Sequence, residues 1–89
     1  MVNITDTKIT ITNGLDEIIY LEFSNINDNT IDVLHVVAND KYKGQGYGKV
    51  VMEELIKYLE LNNKKAKLTC PFAVAYSLKH PELDKYFIK

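Results

Sequence analysis

The apolar pattern of this chain changes period once, and the change falls across three closely spaced glycines. From Thr30 to Ala38 the residues Ile31, Val33, Leu34, Val36 and Val37 mark a strand whose second half is apolar on both faces. From Lys49 to Asn62 the spacing becomes that of a helix. Val51, Met52, Leu55, Ile56 and Leu59 form one stripe, and Glu53, Glu54, Lys57 and Glu60 face outward. Between the two segments stands Lys43-Gly44-Gln45-Gly46-Tyr47-Gly48-Lys49. A strand apolar on both sides is expected in the middle of a sheet, covered on both faces.

The flanking segments complete a layered arrangement. Ala66 to Cys70 reads as a short strand returning parallel to the first, through a right-handed crossover. Upstream, Lys8 to Thr12 and Glu17 to Phe23 are strands joined at Asn13-Gly14, and Asn25 to Asn29 has the composition of a turn. Downstream, Pro71 opens a helix whose two turns, Phe72 to Lys79, are closed by Pro81. The tail from Leu83 to Ile88 carries Tyr86 and Phe87, which are expected to pack back on the sheet. The expected class is α/β (α+β): a mixed sheet with an antiparallel N-terminal meander, then a β-α-β unit with a second short helix. With 89 residues, 46% of them apolar, residues 1–89 are expected to form a single domain. A chain of this size buries only about 60% of its unfolded surface, so any chemistry must use the edges of one unit.

Charge and cysteine content narrow the partners. Eleven basic residues nearly cancel twelve acidic ones, which disfavours a nucleic-acid partner. No apolar run approaches the ~20 residues that span a bilayer. One cysteine, Cys70, rules out an internal disulfide, and with no basic-then-apolar leader the expected compartment is the cytoplasm. The two histidines and the cysteine are too far apart for a common zinc pattern. A local basic cluster does stand out: Lys41, Lys43 and Lys49 bracket the glycines, with no acidic residue between Lys41 and Lys49.

Glycines at alternate positions between a buried strand and an amphipathic helix allow positive φ and close approach of backbone to a ligand. The helix that follows aims its free N–H groups and positive dipole end into the turn. Together these features make an anion socket. Its spacing is not the G-x-G-x-x-G of dinucleotide sites. Nor is it a P-loop, since Lys43 stands at the first glycine position and Val50 at the last position of that motif.

Lys43-x-x-Gly46-x-Gly48 resembles the pyrophosphate loop of the GNAT superfamily of acyl-CoA-dependent N-acetyltransferases, which usually begins with Arg or Gln. A lysine there keeps the charge and loses the planar fork. The chain is also similar to a compact GNAT-like group, from about Ile31 to Tyr86, through His35, the glycine loop, Cys70-Pro71-Phe72 and His80-Pro81-Glu82 in that order. Val36 departs from the Thr that often follows the histidine in that group.

The resemblance implies that acetyl-CoA (CoA) lies where two central strands splay. Its pantetheine would run along the backbone of Val36, Val37 and Ala38, and its pyrophosphate on Lys43, Gly44, Gln45, Gly46, Tyr47, Gly48 and Lys49. An amine acceptor would attack the thioester directly from the other side. By the same resemblance Cys70 would lie beside the thioester, and Tyr76 would stand where many such enzymes place the acid for the departing thiolate. His35 is the candidate base, since histidine is the side chain type that takes up a proton near neutrality. Each has a plainer role: Cys70 a small buried side chain, His35 a half-buried strand residue, Tyr76 a core aromatic. His80 is expected to be structural, at a helix end where a cation is favoured.

Full-length members carry two helices after their first strand, and Asn13-Gly14 leaves no space for them. The acceptor site is then shallow, shared with a second copy in a weak homodimer, or completed by the acceptor on a monomer. Two other readings stay open at this point: a CoA-binding module without turnover, and a protein-interaction domain.

Overall fold

The turn signals in the sequence close strand pairs, and the strands stack in the order in which they are made. The structure is a computed structural model and describes residues 1–88. Six strands, β1 (Val2–Ile4), β2 (Lys8–Asn13), β3 (Asp16–Asn27), β4 (Thr30–Ala38), β5 (Lys65–Leu68) and β6 (Phe87–Ile88), form one sheet in the order β1-β2-β3-β4-β5-β6. The first four pair antiparallel, and β4, β5 and β6 are parallel. Helix α1 (Tyr47–Leu61) links β4 to β5, and α2 (Pro71–Lys79) with a 3₁₀ turn at Pro81–Tyr86 links β5 to β6. The expected α/β class with a mixed sheet is what the chain adopts.

Sequential order has a consequence for the layers. Both parallel crossovers step in the same direction across the sheet, and right-handed crossovers that do so lie on the same face. Helix α1 packs its buried residues Val51, Met52, Leu55 and Leu59 against Ile9, Leu21, Phe23, Ile31 and Val33 of the strands. Fully burying each such side chain contributes about 1.5–3 kcal/mol. On the opposite face Lys8, Thr10, Tyr20 and Glu22 stand clear of the core, with the Lys8 ammonium 4.4 Å from the centre of the Tyr20 ring.

The expectation of a doubly covered β4 is therefore corrected. Its apolar run on both faces comes from a break in register. Phe23 pairs with Val33 and Glu22 with His35, so Leu34 has no partner and the strand bulges there. The bulge brings Val36 and Ala38 onto the core face after Val33 and leaves Val37 exposed. The Asn25–Asn29 turn is also corrected. Strand β3 continues to Asn27, and Asp28 and Asn29 alone reverse the chain, with Asn27 Oδ1 accepting the Asn29 N–H at 2.8 Å. Similarly, Ala66–Cys70 shortens at its end to Lys65–Leu68, because Cys70 already caps α2. Pro81 does not simply close that helix; it begins the 3₁₀ turn. The tail packs as expected: Phe87 is buried beside Ala66, and Tyr86 Oη donates to Glu60 at 3.0 Å.

Candidate functional site

Strands β4 and β5 separate after four pairs. The last pair is Val33↔Leu68, and then the N–H groups of Thr69 and Cys70 both donate to the Val33 carbonyl at 3.0 Å. Beyond that point β5 turns away into α2, and β4 from Leu34 to Ala38 has no strand on that side. A cleft of about 570 Å³ opens on the helix-bearing face. Its sheet wall is Ile19, Val36 and Ala38, and its α2 wall is Phe72, Tyr76 and His80.

The glycine loop closes the remaining side. Gly44 (φ 77) and Gly46 (φ 84) take the left-handed conformation, and Gly46 is the N-cap of α1 with no side chain satisfying the first N–H groups. The first turn holds no acidic residue and does hold Lys49. A cation at a helix N-terminus opposes the macrodipole, so this end of α1 gains most from an anion. Gly48 serves a different purpose. Its backbone is ordinary helix, and a Cβ there would meet the tip of the Phe72 ring, so glycine lets that ring lie against α1 where a larger residue would turn it aside.

The loop is braced from β3. The Asn39 N–H donates to the Ile18 carbonyl at 2.9 Å, and its side-chain amide donates to the Glu17 carbonyl at 3.0 Å. Lys41 Nζ and Tyr42 Oη both reach Asp16 Oδ2, at 2.9 and 2.8 Å, and together hold that carboxyl below its ordinary pKa. Lys43 pairs with Asp40 at 2.8 Å, which lowers the Asp40 pKa in turn. Two of the three lysines thus have carboxylate partners that the local sequence did not suggest, one of them 25 residues away. Among the described residues Lys49 has no ion-pair partner.

Of the residues expected to hold acetyl-CoA, Val36, Ala38, Lys43, Gly44, Gly46, Tyr47, Gly48 and Lys49 line the cleft. Val37 and Gln45 do not: Val37 is 43% exposed on the other side of the sheet, and Gln45 faces solvent. Tyr76 lines the cleft, and burial, then the charges of Glu53 and Glu82, push its phenol above its ordinary pKa. His35 lies outside the cleft, opposite Glu22 on the helix-free face. Cys70 is 5% exposed at the head of α2 and does not form the cleft wall.

Phe72 and His80 are cleft residues that the sequence did not reveal as such. The His80 ring stacks on Tyr76 with centroids 4.3 Å apart, and its Nδ1 lies 3.1 Å from Glu82 Oε2. Their i, i+4 spacing with Tyr76 puts the three rings on one face of α2, and only the placement of that face over the glycine loop, a tertiary contact, has no local signal in the sequence.

The family model of the GCN5-related N-acetyl-transferase matches residues 8–86. The chain belongs to that family. A solved structure, that of a GCN5-like protein from Staphylococcus aureus, is similar over 99% of this chain and 87% of that one, with a TM-score of 0.78 and 20% identity. At that identity the likeness concerns the fold, which is the GNAT-like one. No curated protein matches the sequence. Among the described residues no helix is long and apolar enough to cross a membrane, and no group of His, Cys, Asp and Glu is arranged to hold a metal ion.

Proposed function

We propose that residues 1–89 act as one unit in the cytoplasm and transfer an acetyl group from acetyl-CoA to an amine. One observation carries this reading. The uncapped start of α1, with Gly44 and Gly46 in the left-handed conformation, opens into a cleft that reaches the unpaired stretch of β4. Such a site suits a ligand with a diphosphate at one end and a narrow amide-bearing arm, and members of the family generally use acetyl-CoA.

The residues divide the work by face. The N–H groups at the start of α1, with Lys49 and Lys43, hold a diphosphate. Ile19, Val36 and Ala38 give the arm an apolar floor, and the free β4 backbone beside them offers it hydrogen bonds. Acetyl-CoA when bound supplies an activated thioester, open to direct attack by a neutral amine.

Tyr76, its pKa raised, keeps its proton through neutral pH and donates it to the departing sulfur. His35, exposed beside Glu22 on the opposite face, accepts the proton lost by the amine nitrogen. The gap between β4 and β5 beyond Val33 is the passage between the two faces. Cys70, almost fully buried, suits a wall of that passage.

The test is release of free thiol from acetyl-CoA in the presence of polyamines, amino acids and peptides. Thiol release that depends on an amine is the expected result. Binding of CoA with no release across the panel would sink the enzyme reading. It would favour the second one, a CoA-binding module, which the helix-free acceptor face also supports.

A further inference from the structure

A general acid has to be held in place to work, and Tyr76 is not held by its hydroxyl. The hydroxyls of Tyr42 and Tyr86 donate to carboxylates, while that of Tyr76 has no protein partner among the described residues. Its position therefore depends on what packs against the ring. His80 supplies that packing: it follows by one helical turn, and its ring lies on the phenol with centroids 4.3 Å apart and planes 32° apart.

His80 is itself fixed from three sides. A residue before proline is pushed out of the helical region, and His80 (φ −132, ψ 66) is where α2 ends and the 3₁₀ turn begins. Its N–H donates to the Ser77 carbonyl at 3.2 Å, and its carbonyl accepts the Leu83 N–H at 2.9 Å. Glu82, the second residue of the turn, brings Oε2 to 3.1 Å from the His80 Nδ1. That carboxyl is anchored in turn, since its own backbone N–H and then His80 hold its pKa below the ordinary value.

We propose that His80 and Glu82 are a positioning pair for Tyr76: the carboxylate latches the imidazole, and the imidazole keeps the phenol in the cleft with its hydroxyl free for the departing sulfur. The inference rests on the reading of Tyr76 as the acid. The pair also bears on how readily the proton leaves. Burial raises the phenol pKa first, then the charges of Glu53 and Glu82. The other charged groups about the two rings are Lys49 and Lys57 of α1, and Asp84 acts on Glu82 from the same turn. Of the carboxylates, Glu82 alone is joined to the ring that holds the phenol, so position and acidity are set by one contact.

The experiment measures kcat, the KM for acetyl-CoA and the pH profile of thiol release. The variants are Glu82→Gln, and His80→Leu and His80→Phe each alone and combined with Tyr76→Phe. His80→Leu is expected to lower kcat about tenfold with little change in KM, the result of a misplaced acid. His80→Phe restores a ring against the phenol and should recover most of that loss. With Tyr76→Phe already present, His80→Leu should cost nothing further, because the two residues act as a unit. Glu82→Gln should keep most of kcat and move the alkaline limb to lower pH, since one charge that raises the phenol is gone. Equal losses from His80→Leu in both backgrounds, or an alkaline limb unmoved by Glu82→Gln, overturn the pair and leave the acid standing. Undiminished kcat in Tyr76→Phe overturns the acid assignment and the pair with it. A wild type that releases no thiol overturns the acetyl-transfer reading on which both depend.

Discussion

The two faces of the sheet are built from the same strands and differ in almost everything else. One carries both helices, the whole apolar core and a cleft with glycine, lysine and aromatic walls. The other carries no helix and presents Lys8, Thr10, Tyr20, Glu22 and His35. The cause is topological: strands laid down in order, with two right-handed crossovers stepping the same way, cannot cover both faces. On the proposed reading, the helix-bearing face takes the acyl donor and the helix-free face is where the amine would approach.

The sharpest way to break this contrast is to disable the built side. Gly46 has open space where a Cβ would go, so a substitution there acts through its φ of 84, which costs roughly 1–2 kcal/mol for a residue with a side chain. A β-branched replacement also shields the first N–H groups of α1. Gly46→Val is expected to abolish CoA binding in calorimetry while circular dichroism still reports a folded sheet. Unchanged affinity would contradict the socket.

The next effect is smaller and chemical. Tyr76→Phe keeps the stack on His80 and removes the proton, so kcat should fall about 100-fold or more, as for loss of a general acid, with little change in CoA affinity. In the wild type kcat should stay high while the phenol is protonated. It should decline as pH rises through the Tyr76 pKa, which lies above the ordinary tyrosine value near ~10. That alkaline limb should be missing from Tyr76→Phe; if it persists, another group is the acid.

What could be read beforehand follows the range of the interactions. The α1 stripe and the β4 limits at Thr30 and Ala38 were legible because periodicity and turn residues are local signals. The glycine loop was legible for the same reason. Strand β1 and strand β6 were not: each is a short edge strand, and Val2, Ile4 and Ile88 are exposed. The bulge at Leu34 is a property of two strands together, so the run of apolar residues around it suggested cover on both faces. The pairing of Asp16 with Lys41 and Tyr42, and the fit of Phe72 against Gly48, join segments distant in sequence. The helix-bearing cleft was thus readable in outline and its bracing was not.

The open side can be tested by its own pair of residues. His35 and Glu22 face each other across β4 and β3, and solvent reaches the histidine. Water can replace an exposed base in part, so His35→Gln should lower kcat/KM by about tenfold at neutral pH, less than the Tyr76 change. The loss should shrink as pH rises and more of the amine is already neutral. CoA affinity should not move, because the side chain is on the face away from the cleft. A His35→Gln protein that loses CoA affinity would place the histidine on the donor side and undo the division between faces.

The smallest expected effect returns to the loop. Lys43 holds Asp40 at 2.8 Å, and that carboxylate competes with any phosphate for the same ammonium. Both side chains are exposed, so the pair is weak and screened by salt. Asp40→Asn should therefore tighten CoA binding slightly, and the gain should fade as ionic strength rises. The wild type should show a related trend at acid pH. Asp40 keeps its charge to below the ordinary carboxylate pKa of about 3.9 because Lys43 holds it there. Its competition for the lysine should therefore persist through the mildly acid range and fade only as the carboxyl protonates. Weaker binding by Asp40→Asn would mean that the carboxylate orients Lys43 for the ligand and does not compete with it.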